Sequence, residues 1–163
     1  MSAEPNNAPW LDAPQQALAI QMLESHQRGF GCALIAGGIG TARSSRLPAQ
    51  ELFSCGFPVL AHGGGSDPTL TYANAAALQL WEASWTELVG LPSRLTAPET
   101  ERPERRTALG KAQTLHALKG YAGIRISRKG RRFQINNARI WTLWDDQHHP
   151  CGQAASFSDW WWI

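Results

Sequence analysis

The chain has 163 residues, 43% of them hydrophobic, with eight tryptophans and a net charge of +2. That length fits one domain, the apolar content excludes a disordered chain, and the mild charge disfavours nucleic acid as a partner. No apolar run reaches the roughly 18 residues of a membrane span. The first residues, MSAEPNNAPWLDAPQQ, lack the basic-then-apolar order of a signal peptide. The three cysteines, Cys32, Cys55 and Cys151, are odd in number and contain no C-x-x-C pair. They read as reduced thiols of a cytoplasmic protein, with Cys55 and Cys151 as small buried residues on strands.

Residues 1–12 are rich in Pro and Asn and read as loose. A helix is predicted over 13–28, capped by Asp12, with Pro14 in its first turn and Gly29 at its end. Its apolar set, from Ala17 to Leu23, needs a surface to lie on. Residues 31–48 read as a connector. Gly37, Gly38 and Gly40 there match neither a P-loop nor G-x-G-x-x-G, so no nucleotide site is assigned. The domain proper is placed at 49–163.

From Phe57 the pattern sharpens. FPVLAHG and TLTYAN are two short strands joined by the turn formers GGGSDP, a hairpin. Leu70 and Tyr72 are expected on one side of the second strand, Thr71 and Ala73 on the other. Asn74 suits a helix N-cap before AAALQLWEA. Ser84 and Glu87 have capping-box spacing, with Gly90 as a stop, and Thr96 and Glu99 repeat that spacing. A longer helix is predicted over 100–119, with Leu109, Ala112, Leu115 and Leu118 on its apolar face and Gly120 ending it.

Three strands follow. GIRIS alternates Ile124 and Ile126 against Arg125 and Ser127. RRFQINNARIWTLW runs back after a turn, and CGQAASFSDW closes after DDQHHP. The long strand is apolar at both parities, which requires either a bulge at Asn136–Asn137 or cover on both sheet faces. The expected fold is α+β: a five-stranded antiparallel sheet with helices on one face and the N-terminal helix flanking the other.

This order, with YANAAALQLWEASWTELVGLPS, resembles a PAS domain. More closely, HGGGSDPTLTYANAAALQLWE, LPSRLTA, YAGIRISRKGRRFQINNARIW and CGQAASFS resemble the MEKHLA domain across residues 15–160. That is a PAS-like module found alone in bacteria and at the C-terminus of some plant homeodomain-zipper proteins. The resemblance implies a sensory or regulatory module with a cavity between sheet and helices, and a partner docking on the sheet's outer face. It implies no reaction.

The chemical signals agree with a module that does not catalyse. HGGG (residues 62–65) looks like an esterase oxyanion motif, but no G-x-S-x-G nucleophile exists, so it reads as a turn and His62 as a strand-end residue. His148, His149 and Cys151, with Asp145 and Asp146, lack the four ligands of a structural metal site. His116 stands where some haem-binding PAS domains place an axial ligand, and it is expected at an exposed rim. No Asn-Cys-Arg-Phe-Leu-Gln block marks a photochemical flavin site. The cofactor is therefore unknown, with neither haem nor flavin supported by motif.

The basic run Arg125, Arg128, Lys129, Arg131 and Arg132 reads as a charged hairpin or an anion site built on Arg125 and Arg132. Arg94 either pairs with Glu87 or Glu99 or reaches a pocket. Tyr72, Asn74, Trp81, Arg94, Arg125 and Trp141 form the predicted ligand site. In the terminal WWWI at least one ring is expected to be exposed or buried by another molecule, since extended side chains alternate. Homodimerisation through that tail and the sheet's outer face follows. The leading reading is a regulatory module for a small, possibly anionic, ligand or a partner protein. A small enzyme for an acidic metabolite, using His62 or His116, and a purely structural dimerisation module are the alternatives.

Overall fold

The computed structural model describes residues 7–37 and 44–163; Gly38, Gly40 and the first six residues lie outside the described residues. Helix α1 (Ala13–Phe30) begins as predicted, with Asp12 accepting a hydrogen bond from the Gln15 amide at 3.0 Å. It ends later than Gly29. Gly31 adopts the left-handed conformation that closes it, at φ 72°. Gly29 instead serves packing, because a Cβ there would stand 3.1 Å from that of Ala117.

A second helix, α2 (Arg46–Ser54), begins at the end of the predicted connector and runs through the boundary placed at 49. Ser45 gives it no side-chain cap, so the usual start signal is absent. Its stability comes from packing: Ala49, Leu52 and Phe53 are buried. The start of the described chain is ordered by the same helix. Trp10 stacks on Phe53 at 3.6 Å between ring centroids and donates its indole N–H to Gln50.

The sheet contains β1 (Val59–Gly63), β2 (Leu70–Ala73), β3 (Ala117–Ile126), β4 (Arg132–Trp144), β5 (Pro150–Ser156) and β6 (Asp159–Trp162). Every pairing is antiparallel, in the order β2-β1-β5-β4-β3. The sixth strand comes from splitting the predicted last one. β5 pairs with residues 139–144 of β4 and β6 with 133–136, so five lanes hold six strands.

Two apolar clusters lie on opposite faces. On the inner face, α3 (Ala75–Leu80), α4 (Trp85–Leu88) and α5 (Arg102–Leu115) supply Ala77, Leu80, Leu88, Ala108 and Ala112 against Phe133, Ile135, Ala138 and Ile140. On the outer face, α1 and α2 supply Met22, Leu23, Ala49 and Leu52 against Val59, Ala61, Tyr72, Trp141 and Leu143. Both explanations offered for the long strand therefore hold. Asn137 sits at φ 51° and shifts the inner-face set from odd to even positions, while Trp141 and Leu143 point outward under α1. The outer face predicted for dimerisation is thus occupied by the chain's own helices.

Several local expectations are corrected. Leu70 and Tyr72 enter different clusters, because the β1–β2 pairing slips between Ala61 and His62. The Ser84–Glu87 capping box forms, but Thr96 donates to the Ser93 carbonyl and makes no cap with Glu99. Helix α5 stops at Leu115, with His116 at φ 64°; Leu118 and Gly120 belong to β3, and Leu115 is 55% exposed. Cys55 caps α2 and is not on a strand. In WWWI the alternation is as expected: Trp160 and Trp162 pack edge-on to Phe133, while Trp161 is 47% exposed.

Candidate ligand cavity

Strand β3 inverts its expected pattern. Tyr121 and Arg125 are buried on the inner face, Arg125 at 6% exposure, and Ile124 and Ile126 are only half-buried. Gly123 lies between them on that face. A Cβ there would stand 2.5 Å from the Tyr121 hydroxyl and 3.1 Å from a terminal nitrogen of Arg125. The bare position makes room for the pair. Arg125 donates to the Ile124 carbonyl at 3.0 Å and to the Tyr121 hydroxyl at 3.2 Å, and that hydroxyl donates to Glu104 at 2.9 Å.

These residues border a void of about 50 Å³ between sheet and helices. Its walls are largely apolar: Leu60, Leu70, Ile135 and Ile140 from the sheet, Trp81 and Leu109 from the helices, and Phe157. The polar groups at it come from five elements. Besides Tyr121 and Arg125 they are Arg105 of α5, His62 of β1 and Gln153 of β5, with Thr96 from the turn before α5. Gln153 is engaged, donating to the Leu109 carbonyl at 3.0 Å. Arg105 makes no hydrogen bond or ion pair among the described residues. Burial, and then the nearby charge of Arg125, pulls its pKa down to about 10, leaving it protonated at neutral pH.

His62 is the other unsatisfied group. Its Nδ1 stands 2.8 Å from the Gly63 carbonyl, so Nδ1 carries the proton and donates. Nε2 is buried without a partner. Burial lowers the ring's pKa, the Gly63 contact opposes that, and the charge of Arg105 lowers it further. His62, Leu109 and Gln153 also line an outer groove formed by Gly63–Gly65, α5 and β5. They form the wall between the void and that groove. Gly152 lets β5 approach here, since a Cβ on it would collide with the His62 carbonyl.

Of the six predicted ligand residues, Trp81 and Arg125 line the void. Tyr72 and Trp141 lie on the opposite face, where Trp141 donates its indole N–H to the Met22 carbonyl at 3.1 Å. Arg94 pairs with Asp67 at 3.2 Å in solvent, with neither Glu87 nor Glu99. Asn74 is fully enclosed and fully engaged. Its Oδ1 accepts from the Val59 and Ala77 amides, and its Nδ2 donates to the Leu52 and Phe57 carbonyls.

Arg105, Tyr121 and His62 were missed or set aside. Arg105 shares the spacing of Ala108, Leu109 and Ala112 on one helix face, and Tyr121, Gly123 and Arg125 share period two; both are legible spacings. Arg128, Lys129, Arg131 and Arg132 are exposed; Arg131 pairs with Glu82 at 3.3 Å and lies over Trp162. His116 does not line the void. Its Nδ1 meets the Thr142 hydroxyl at 3.2 Å and its ring packs on Trp144. Among the described residues no three His, Cys, Asp or Glu side chains cluster to hold a metal, and no helix is long and apolar enough to cross a membrane.

The family model of the MEKHLA domain matches residues 16–162. No curated protein matches the chain. Among solved structures, an RNA-binding light-oxygen-voltage receptor is similar at TM-score 0.64 and 18% identity, over 78% of this chain and 36% of that one. The chain thus spans about a third of that receptor. A PAS domain from Colwellia psychrerythraea is similar at 0.59 and 11%, over 69% and 93%. The light-oxygen-voltage domain of a blue-light activated histidine kinase from Erythrobacter litoralis is similar at 0.54 and 20%, over 64% and 96%. At these identities the likeness is one of fold.

Proposed function

Since the chain belongs to the MEKHLA domain family, with a PAS fold, we propose that it is a non-catalytic sensory module whose cavity receives a small molecule. The observation that carries this is the void itself: largely apolar walls beside a half-buried guanidinium without a counter-ion among the described residues and a histidine whose buried Nε2 has no partner. Together at one space, such groups are costly for a purely structural core. The catalytic alternative lacks an orienting acid, because neither His62 nor His116 bonds a carboxylate among the described residues.

Occupancy reaches the surface through Trp81. Its ring lines the void, and its indole N–H donates to the Thr96 carbonyl at 3.4 Å. Thr96 ends the short helix Ser93–Thr96. Arg102 extends that link, donating to the Arg94 and Ala97 carbonyls. An occupant that presses on Trp81 and Thr96 shifts the population of conformers over residues 84–100, the face offered to a partner. Trp161 and Ile163, 47% and 63% exposed at the chain's end, offer a second contact surface for a partner or another copy. The free state of Cys32, Cys55 and Cys151 supports a cytoplasmic setting.

Neither a flavin nor a haem fits the residues present. The void holds about 50 Å³, against roughly 300–1,000 Å³ for sites of larger ligands. No cysteine borders it, and His116 stands elsewhere. Native mass spectrometry and a thermal-shift screen of small metabolites test the reading. A retained or stabilising compound is expected; an inert protein across the screen reduces it to a scaffold.

A further inference from the structure

Resting on the reading that the void receives a small molecule, we propose that its occupant is a short 2-hydroxy carboxylate. The carboxylate is held by Arg105 and Arg125, and the hydroxyl by Nε2 of His62.

The charge requirement comes first. Two guanidinium groups border one small space, near enough that the charge of Arg125 acts on Arg105. No Asp or Glu lines that space. Glu104 reaches Arg125 only through the Tyr121 hydroxyl, and nothing among the described residues pairs with Arg105. A buried and a half-buried cation side by side without a counter-ion are costly, so an anion is the complementary occupant. Arg125 is already oriented by its bonds to Ile124 and Tyr121, which is the arrangement a planar carboxylate needs from a fork of donors.

The hydroxyl requirement is independent of the charge. Because the Gly63 carbonyl can only accept, the His62 proton sits on Nδ1, and Nε2, buried in a residue that borders the void, keeps a lone pair with no partner. A lone pair calls for a donor. An ionised carboxylate has none, and an apolar chain has none. A hydroxyl beside the carboxylate supplies it.

Size and walls set the rest. About 50 Å³ admits roughly three to five water-sized groups. Leu60, Ile135 and Ile140 then favour a methyl or short alkyl substituent over further polar groups.

The test is a titration of the labelled full-length chain followed by heteronuclear NMR, at fixed ionic strength. The probes are sodium lactate, sodium propionate, inorganic phosphate and propan-2-ol. Lactate and propionate differ only in the hydroxyl. Lactate is expected to shift resonances of Ile135, Ile140 and Ala154 saturably and to bind about ten-fold more tightly than propionate, the worth of one hydrogen bond. Arg105→Gln, at a half-buried helix position, is expected to weaken lactate at least ten-fold. Arg125→Lys keeps the charge, loses the fork, and is expected to weaken it as well. His62→Phe is expected to abolish the lactate–propionate difference while propionate binding persists.

Equal affinity for lactate and propionate, tighter binding of phosphate, or an unchanged preference in His62→Phe overturns the proposal. If only propan-2-ol shifts these resonances, the occupant is not an anion and the receptive void stands. If no probe shifts them, the proposal falls, and the receptive void stands or falls on the metabolite screen.

Discussion

Replacing Asn74 by alanine gives the sharpest test of how this fold is held, because four backbone partners converge on one buried amide. The Val59 amide donates to its Oδ1 at 2.9 Å and the Ala77 amide at 3.1 Å. Its Nδ2 donates to the Phe57 carbonyl at 2.9 Å and the Leu52 carbonyl at 3.2 Å. The residue thereby ties α2, β1 and α3 together. Losing the helix cap costs about 1 kcal/mol. Stranding the buried Val59 amide adds about 1–3 kcal/mol, and the two carbonyls add about 1 kcal/mol each. Backbone relaxation recovers part of this, so about 4 kcal/mol is expected, against a total stability of about 5–15 kcal/mol. In a chain of this size that lowers Tm by roughly 8–16 °C.

Urea denaturation followed by tryptophan fluorescence measures it directly. Asn74→Asp separates the two halves of the site. It keeps both acceptor bonds but sets an acid against the Leu52 and Phe57 carbonyls, which raises its pKa on folding above the usual ~3.9. The folded state then holds its proton longer than the unfolded chain does, so stability falls as pH rises above about 4. An alanine variant within 1 kcal/mol of the parent, or an aspartate variant indifferent to pH, refutes this account of Asn74.

Four further outcomes are expected. Gly123→Ala forces the Tyr121–Arg125 pair aside, costing about 1–3 kcal/mol and abolishing lactate-induced shifts in the NMR titration. His26 and His62 both have pKa values lowered mainly by burial, with Arg139 and Lys119 adding to this at His26 and Arg105 at His62. The unfolded chain therefore binds protons first, and stability, full above the ordinary value near 6.5, declines as pH falls below it. His62→Gln should flatten that decline in urea titrations from pH 7.5 to 5. Trp141→Ala removes a buried ring and its bond to Met22, and about 3–5 kcal/mol with it; calorimetry checks the loss. Trp161→Ser leaves Tm within about 1–2 °C but reduces any self-association seen by light scattering at high concentration.

The parts of the fold legible in sequence were those decided within a few residues. Asp12, Asn74 and the Ser84–Glu87 pair cap helices because their side chains answer amides two or three positions on. The glycine run after His62 marks a turn for similarly local reasons, with Gly65 at φ 99°. What escaped was decided by distant contacts. Helix α2 has no cap and exists because Leu52 and Phe53 are buried by the rest of the chain. The end of α5 is set by where β3 must begin pairing: His116 turns the chain at φ 64°, and its carbonyl accepts from Thr142 on the strand opposite.

Of the candidate site, Trp81 and Arg125 were legible, and the rest escaped for a more instructive reason. Alternation alone gives the apolar parity of a strand to the core, which sets Ile124 and Ile126 inward and turns Arg125 outward unless it serves the predicted ligand site. The pairing of β3 with β4 slips between Leu118 and Tyr121 and again before Gly123, yet the inward set is still Tyr121, Gly123 and Arg125. A strand that turns its isoleucines away from the core and its arginine into it loses burial energy that a purely structural sheet would keep. That loss needs a compensating gain, and the inverted strand borders a space that Arg105 and His62 also line, the first without an ion pair among the described residues and the second with its Nε2 unpartnered. The proposed ligand supplies such a gain at the place where the hydrophobic pattern and the structure disagree most.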